Sequence, residues 1–366
     1  MHVHRAPYTS LIGCLATQLP NSGPLLRRIQ YEARHPTTTA QVLASFPDGE
    51  GLSTSVETGK TWLTAFVDVF CGLETQVYVF SCLETKAKDT VTAQESDIAK
   101  GQLLDLFTYI RRNLTPEYLE YLSSQLAPSV PVEEEEGVAK IPAHPTTSVL
   151  LGSANEIVVG LLVELDAETK KKEFYIHRGQ HHFYAKYCFP SSAFENITSN
   201  ASDGFSWEEA GYTFIDSNGV AGIQEQHIPL VKKRTNIPRS KETLLAMGGV
   251  ALYHRPISLP NPNSAGEEEM PIAWAFLGFD GSLCTLHVEA EHRGKGLGGV
   301  VGKEVMKRGG NVFGSLASEG GYEGEVQDWF FADVSIENTA SRRVMEKMGG
   351  EARWNVAWVV VEVDMQ

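Results

Sequence analysis

The chain has 366 residues, with 31 Lys and Arg against 46 Asp and Glu, a formal net charge of −15, 42% hydrophobic residues and 21% charged ones. That length fits one large domain or two ordinary ones and excludes a small disulfide- or metal-nucleated fold as the main architecture. The composition is that of a folded globular protein rather than a disordered one, and the acidity argues against general binding to nucleic acid or anionic membrane.

Five cysteines (Cys14, Cys71, Cys82, Cys188 and Cys284) form no CxxC pair and leave an odd thiol in any disulfide scheme, which fits a reducing compartment and gives no zinc motif. No apolar run reaches the ~20 residues of a bilayer span, and Leu11–Thr17 is too short and too weakly flanked for a signal peptide. A cytoplasmic location is therefore expected. A mitochondrial presequence stays open, because residues 1–31 contain no acid and carry Arg5, Arg27 and Arg28.

In chain order, Gln76–Cys82 (QVYVFSC) is β-branched and aromatic and predicts a strand. Asp97–Arg111 places Ile98, Leu103, Leu104, Phe107 and Ile110 at helical spacing. Residues 129–142 (SVPVEEEEGVAKIP) predict a solvated loop. Strands are expected at Ser148–Gly152 and Glu156–Leu165, followed by an aromatic-rich stretch at 181–189. His181 and His182 lack a third ligand at motif spacing, so no metal site is expected. Residues 191–203 are loop-like, and a second unit begins at about residue 226, giving expected domains of 1–225 and 226–366. In it, Ile228–Arg234 belongs to a helix, and Pro238 and Ser240 open another that Gly248 closes. After a loop at 259–271 come a strand at Ile272–Gly278, a turn at Asp280-Gly281, a strand at Leu283–Glu289, a glycine loop, a helix, a strand at Trp329–Val334, a helix, and a strand at Asn355–Val363.

The informative segment is Leu286–Gly309 (LHVEAEHRGKGLGGVVGKEVMKRG). Its glycines let backbone N–H groups point outward at a helix start, where the dipole also favours an anion. Between His292 and Arg308 stand Arg293, Lys295, Lys303, Lys307 and Arg308 against Glu304 alone. Gly294, Gly296 and Gly299 formally spell GxGxxG, with Glu319 near the distance of a ribose-binding acid. Against a dinucleotide, the loop does not follow its strand directly, and only 67 residues remain after Gly299. A merely structural glycine turn is a third reading.

The pattern Gln/Arg-x-x-Gly-x-Gly/Ala is met by Arg293, Gly296 and Gly298, with Val288 five residues before the arginine. It resembles the acyl-CoA pyrophosphate loop of the GCN5-related N-acetyltransferase (GNAT) superfamily. The segments LPNSGPLLRRIQYEARHPTTTAQVLASFPDG, HIPLVKKRTNIPRSKETLLAMGGVALYHR and ARWNVAWVV resemble the layout of glycine N-acyltransferase-like proteins with an FR47-like C-terminal domain. The resemblance implies an α/β (α+β) fold, a mixed twisted sheet flanked by helices in two related halves, with acyl-CoA bound by the C-terminal one. It implies acetyl-CoA or another acyl-CoA as co-substrate, an amine as acceptor, and no metal.

By the same resemblance, Leu286, His287 and Val288 lie on the strand beside the pantetheine. Arg293, Gly294, Lys295, Gly296, Leu297 and Gly298 form the pyrophosphate loop, and Asn338 and Ser341 open the following helix near the cofactor. Asn338 also reads as a simple N-cap. The acceptor attacks the thioester directly in a ternary complex. Where many relatives carry an acidic tyrosine this chain has Met345, and where glycine-conjugating relatives have a glutamate base it has Ser282. His287 and Glu289, on one strand face by alternation, and Asp280 in the turn are the candidate proton acceptors. Three functions follow: a small-molecule or amino-acid N-acyltransferase, a protein or peptide N-acetyltransferase, and a catalytically weakened acyl-CoA-binding regulator.

Overall fold

The computed structural model describes residues 1–49, 59–125, 143–170, 173–195, 206–255, 269–313 and 327–363. The acidic loop at 129–142, Glu319, residues 196–203 and residues 259–268 lie outside them. The strands are β1 (His2–His4), β2 (Gln41–Ala44), β3 (Leu63–Val67), β4 (Val77–Ser81), β5 (Val149–Asn155), β6 (Phe174–Arg178), β7 (Phe183–Pro190), β8 (Tyr212–Thr213), β9 (Val250–His254), β10 (Ala273–Leu277), β11 (Ser282–Val288), β12 (Trp329–Ser335) and β13 (Glu351–Val363). The helices are α1 (Thr9–Ala16), α2 (Gly23–Arg34), α3 (Ala93–Tyr109), α4 (Thr115–Gln125), α5 (Glu156–Glu168), α6 (Ser192–Glu195), α7 (Ile228–Lys233), α8 (Lys241–Met247), α9 (Leu297–Phe313) and α10 (Thr339–Lys347).

One motif of the sheet occurs twice. Strands β1 to β4 pair antiparallel in chain order, and β4 then pairs parallel with β5 across the crossover that contains α3. Strands β8 to β11 repeat this, and β11 pairs parallel with β12 across the crossover that contains α9. The sheet runs β1-β2-β3-β4-β5-β13-β7-β12-β11-β10-β9-β8, with β6 also on β13. So β13, last in the chain, sits between β5 and β7, and β7 sits between β13 and β12. Each half donates its final strand to the other, which makes the junction continuous hydrogen-bonded sheet. Strand β8 at 212–213 already pairs with β9.

Apolar side chains alternate between the two sheet faces. Ala273, Ala275 and Leu277 of β10 pack toward α9 and α10, and Trp274 and Phe276 toward α7 and α8. In the first half, α3 and α5 cover one face and α1 and α2 the other. Helix α2 also reaches across the junction. Arg27 bonds Asp328, and Tyr31 packs on Phe279 with ring centroids 4.3 Å apart.

One expectation is corrected. Glu156–Leu165 is not a strand but most of α5, with Val158, Val159, Leu161, Leu162 and Leu165 buried at i, i+3 and i+4 spacing. Asn155 caps it, its side chain accepting from the Ile157 N–H at 2.9 Å. A short apolar run rich in valine and leucine satisfies either period, and the cap and length decide for helix.

Candidate active site

Strand β11 builds the site. It pairs with β12 only at Ser282↔Phe331 and Leu283↔Ala332, while on its other side it stays paired with β10 as far as Ala273↔Val288. From Cys284 onward the two parallel strands fork apart. Thr285 takes a left-handed φ of 52°, and the register against β10 shifts between Trp274 and Phe276. That bulge bends β11 away from β12. The fork frees backbone N–H and C=O groups that a sheet interior would otherwise pair, and such groups demand partners.

The two faces of the forked strand differ. Leu286 and Val288 pack into the core under α9 and α10. On the other face His287 lies flat on the Trp274 indole, centroids 4.6 Å apart and planes 22° apart, with Nε2 3.6 Å from Glu289 Oε2. Burial holds His287 below the ordinary histidine pKa, with Arg293 and Arg234 assisting and Glu289 opposing. Glu289 is also buried in part, yet the Arg234 hydrogen bond at 2.9 Å and the Arg234 charge outweigh that and hold it below the usual carboxylate range. Trp274 Nε1, Thr285 Oγ1 and His287 Nε2 are buried and make no hydrogen bond to any described residue.

The glycine loop follows a single 3-10 turn at Ala290–His292. Arg293 donates from Nε to the Val288 carbonyl at 2.9 Å and ties the loop to the strand end. Gly294 and Gly296 have φ of +78° and +77°, where a side chain is strained, and a Cβ on either would meet nothing within 4 Å. Both residues are exposed, and the N–H groups from Gly294 to Gly298 bond no described residue. The cradle is open and lies at the start of the 17-residue α9, which fits a pyrophosphate. Lys295 within the loop is anchored by its side chain: its Nζ donates to Tyr212 Oη at 3.0 Å, and Tyr212 Oη is 3.0 Å from His292 Nδ1 and its ring stacks on His254. Burial, Lys295 and His254 together hold His292 below its ordinary pKa. Nothing in the local sequence marks Tyr212 as the anchor of a loop 83 residues away. Of the helical cations, Arg308 is taken by Glu304 at 2.7 Å.

Asn338 caps α10, its Oδ1 accepting from the Ser341 N–H at 3.0 Å. Met345 is 2% exposed in the core. Tyr187 on β7 reaches the same helix, with Oη 3.1 Å from Glu346 and 3.2 Å from Arg342.

Asp280 and Ser282 come together at the base of the fork. Ser282 Oγ donates to Asp280 Oδ2 at 2.9 Å and Ser282 N to Oδ1 at 3.2 Å, with both residues buried. Cys284 follows on the same face. Burial raises the thiol pKa of all five cysteines, to about 12 for Cys14, Cys71 and Cys188, so none is a ready thiolate. Among the described residues no group of three or more His, Cys, Asp or Glu is arranged to hold a metal ion, and no helix is long and apolar enough to cross a membrane.

No curated protein matches this chain in sequence. Among solved structures, a Drosophila protein determined by X-ray crystallography superposes with a TM-score of 0.54 at 12% identity, over 98% of this chain and 97% of that one. A GCN5-related N-acetyltransferase from Sphaerobacter thermophilus covers 86% of this chain and 87% of its own, at 11% identity and a TM-score of 0.38. The first of these likenesses shows the fold. Residues 1–187, just over half of the 366, match the family described as the acyl-CoA N-acyltransferase verG N-terminal domain. The chain therefore belongs to the family described as the acyl-CoA N-acyltransferase verG N-terminal domain.

Proposed function

We propose that this protein moves an acyl group from a CoA thioester to the amine of a small molecule or amino acid by direct transfer within a ternary complex. The observation that carries the reading is that one strand, β11, both forks from β12 and leads into the open glycine loop. In this reading the N–H groups from Gly294 to Gly298 and the Lys295 ammonium take the pyrophosphate, and Arg293 fixes the loop. The freed backbone of Leu286, His287 and Val288 pairs with the pantetheine, whose other side meets the α10 start at Asn338 and Ser341. Freed N–H groups at the fork polarise the thioester carbonyl, and holding the amine against it replaces a bimolecular encounter. The raised cysteine pKa values support direct attack over an acyl-cysteine intermediate.

His287, kept neutral, is able to accept a proton near pH 7, and Glu289 orients it. Met345 favours a second reading, an acyl-CoA-binding protein with weak turnover, because no phenol stands on α10 to protonate the departing thiolate. Thiol release from acetyl-CoA in the presence of glycine, benzylamine, putrescine or a lysine-rich peptide separates the readings. Release with a small amine supports the first, and release only with the peptide supports protein acetylation. Acetyl-CoA binding with no release supports the regulator.

A further inference from the structure

A hydrogen-bonded pair, Ser282 and Asp280, stands at the base of the forked strand. Ser282 is the first β11 residue paired with β12, and Leu283, the last such partner, turns into the α9 core. Ser282 and Cys284 therefore face the opposite side, toward the junction of the two halves. The Ser282 hydroxyl proton is committed to Asp280 Oδ2, which leaves the oxygen lone pairs directed away from the carboxylate. Tyr78 of β4, Arg239 between α7 and α8, Cys284 of β11 and Asp333 of β12 all lie close enough to Asp280 to share its electrostatic field. The Arg27 side chain of α2 covers Gly281 beside it. Arg239 Nε is buried and makes no hydrogen bond to any described residue, and its Nη1 is 4.0 Å from Glu74. This face gathers polar side chains around the buried Asp280 and Ser282 at the base of the fork, whereas the His287 ring is stacked on Trp274 five residues further along.

We infer that Ser282 and Asp280 act as a two-residue base for the acceptor amine. This rests on the acyl-transfer reading above. The amine nitrogen forms the C–N bond to the thioester carbonyl carbon, and the C–S bond breaks with its electron pair on sulfur. The amine proton passes to Ser282 Oγ as the Ser282 hydroxyl proton passes to Asp280 Oδ2. The thiolate recovers that proton by the reverse route, so amide and thiol leave and both side chains end as they began. A serine that is not itself basic gains the basicity of a carboxylate through one hydrogen bond.

A purely structural Asp280 would serve as an Asx turn, and asparagine would serve as well. The test uses the full chain with acetyl-CoA and whichever of glycine, benzylamine and putrescine the wild type acylates. Asp280→Asn and Ser282→Ala are each expected to lower kcat by about 10²-fold, with acetyl-CoA affinity within twofold of wild type. Ser282→Ala, which removes one oxygen, carries the test if the Asn variant does not fold. Unchanged kcat in both variants, or an equal loss of acetyl-CoA affinity in place of the loss in kcat, would overturn the inference and leave the acyl-transfer reading standing. A wild type that acylates none of the amines would overturn the reading and the inference together.

Discussion

Lys186 on β7 and Asp333 on β12 stand directly opposite one another in the sheet, Nζ 2.7 Å from Oδ1 and 2.9 Å from Oδ2, with the lysine fully buried. Strand β7 belongs to the first half by chain order and β12 to the second, so this ion pair closes the exchange of strands. Ser153 of β5 adds a hydrogen bond to Asp333 at 3.1 Å. Burial raises the Asp333 pKa and Lys186 opposes it. Removing one partner strands a buried charge, so Lys186→Met is expected to cost about 3–5 kcal/mol. Lys186→Met with Asp333→Leu is expected to recover most of it. Urea unfolding of the two singles and the double checks this. A double mutant as unstable as the sum of the singles would show that the pair is not coupled.

Glu84 gives the fold an inverted pH dependence. Its carboxyl is pushed up to about 8 by burial, against the Ser81 N–H and Lys186, which favour the ionised form. The folded state then holds a proton that the unfolded chain releases above its ordinary 4.5. This contribution is fully present below pH 4.5, falls as pH rises toward about 8, and is flat above that. Glu84→Gln keeps an oxygen for the Ser81 N–H bond at 2.8 Å and removes the titration. Melting temperatures across pH 5 to 8.5 are expected to fall less steeply in Gln than in wild type, and parallel curves would refute the assignment.

Gly23 begins α2 where the helix meets the fork. A Cβ there would lie 2.1 Å from Phe331 Cζ, and Phe331 is fully buried and register-paired with Ser282. Overpacking of this kind costs about 1–3 kcal/mol. Gly23→Ala is therefore expected to lower the urea midpoint, and Phe331→Leu in the same chain to relieve part of the loss. Wild-type stability in Gly23→Ala would mean that α2 is not seated on the second half.

The second half was legible because its signals are local. Asp280-Gly281 sits between two apolar runs, the glycines of the loop stand at fixed offsets from Val288, and Asn338 is followed by a helical period. Glu156–Leu165 was misread because its apolar content satisfies both periods and only the cap at Asn155 separates them. The destination of β13 was not legible: Asn355–Val363 reads as a strand, but pairing with β5 and β7 is settled by packing more than 150 residues away. The Tyr212 anchor of Lys295 and the burial of Arg239 are long-range for the same reason. The Ser282–Asp280 hydrogen bond was not legible either, since sequence gives the identity of a side chain but not the carboxylate its hydroxyl meets.

Acyl-CoA binding by the glycine loop is the central claim, and Gly296 isolates it. Gly296→Ala introduces only the strain of a φ of +77°, since nothing lies within 4 Å of the new Cβ, a cost of about 1 kcal/mol. Gly296→Asp adds a carboxylate pointing into the cradle at similar strain. Calorimetric titration of acetyl-CoA into wild type, Gly296→Ala and Gly296→Asp, each checked for its melting transition, is the most direct measurement. Tight binding by wild type, a modest loss in Ala and at least tenfold weaker binding in a folded Asp variant are predicted. Equal affinity in all three, or no binding by wild type, would contradict the account.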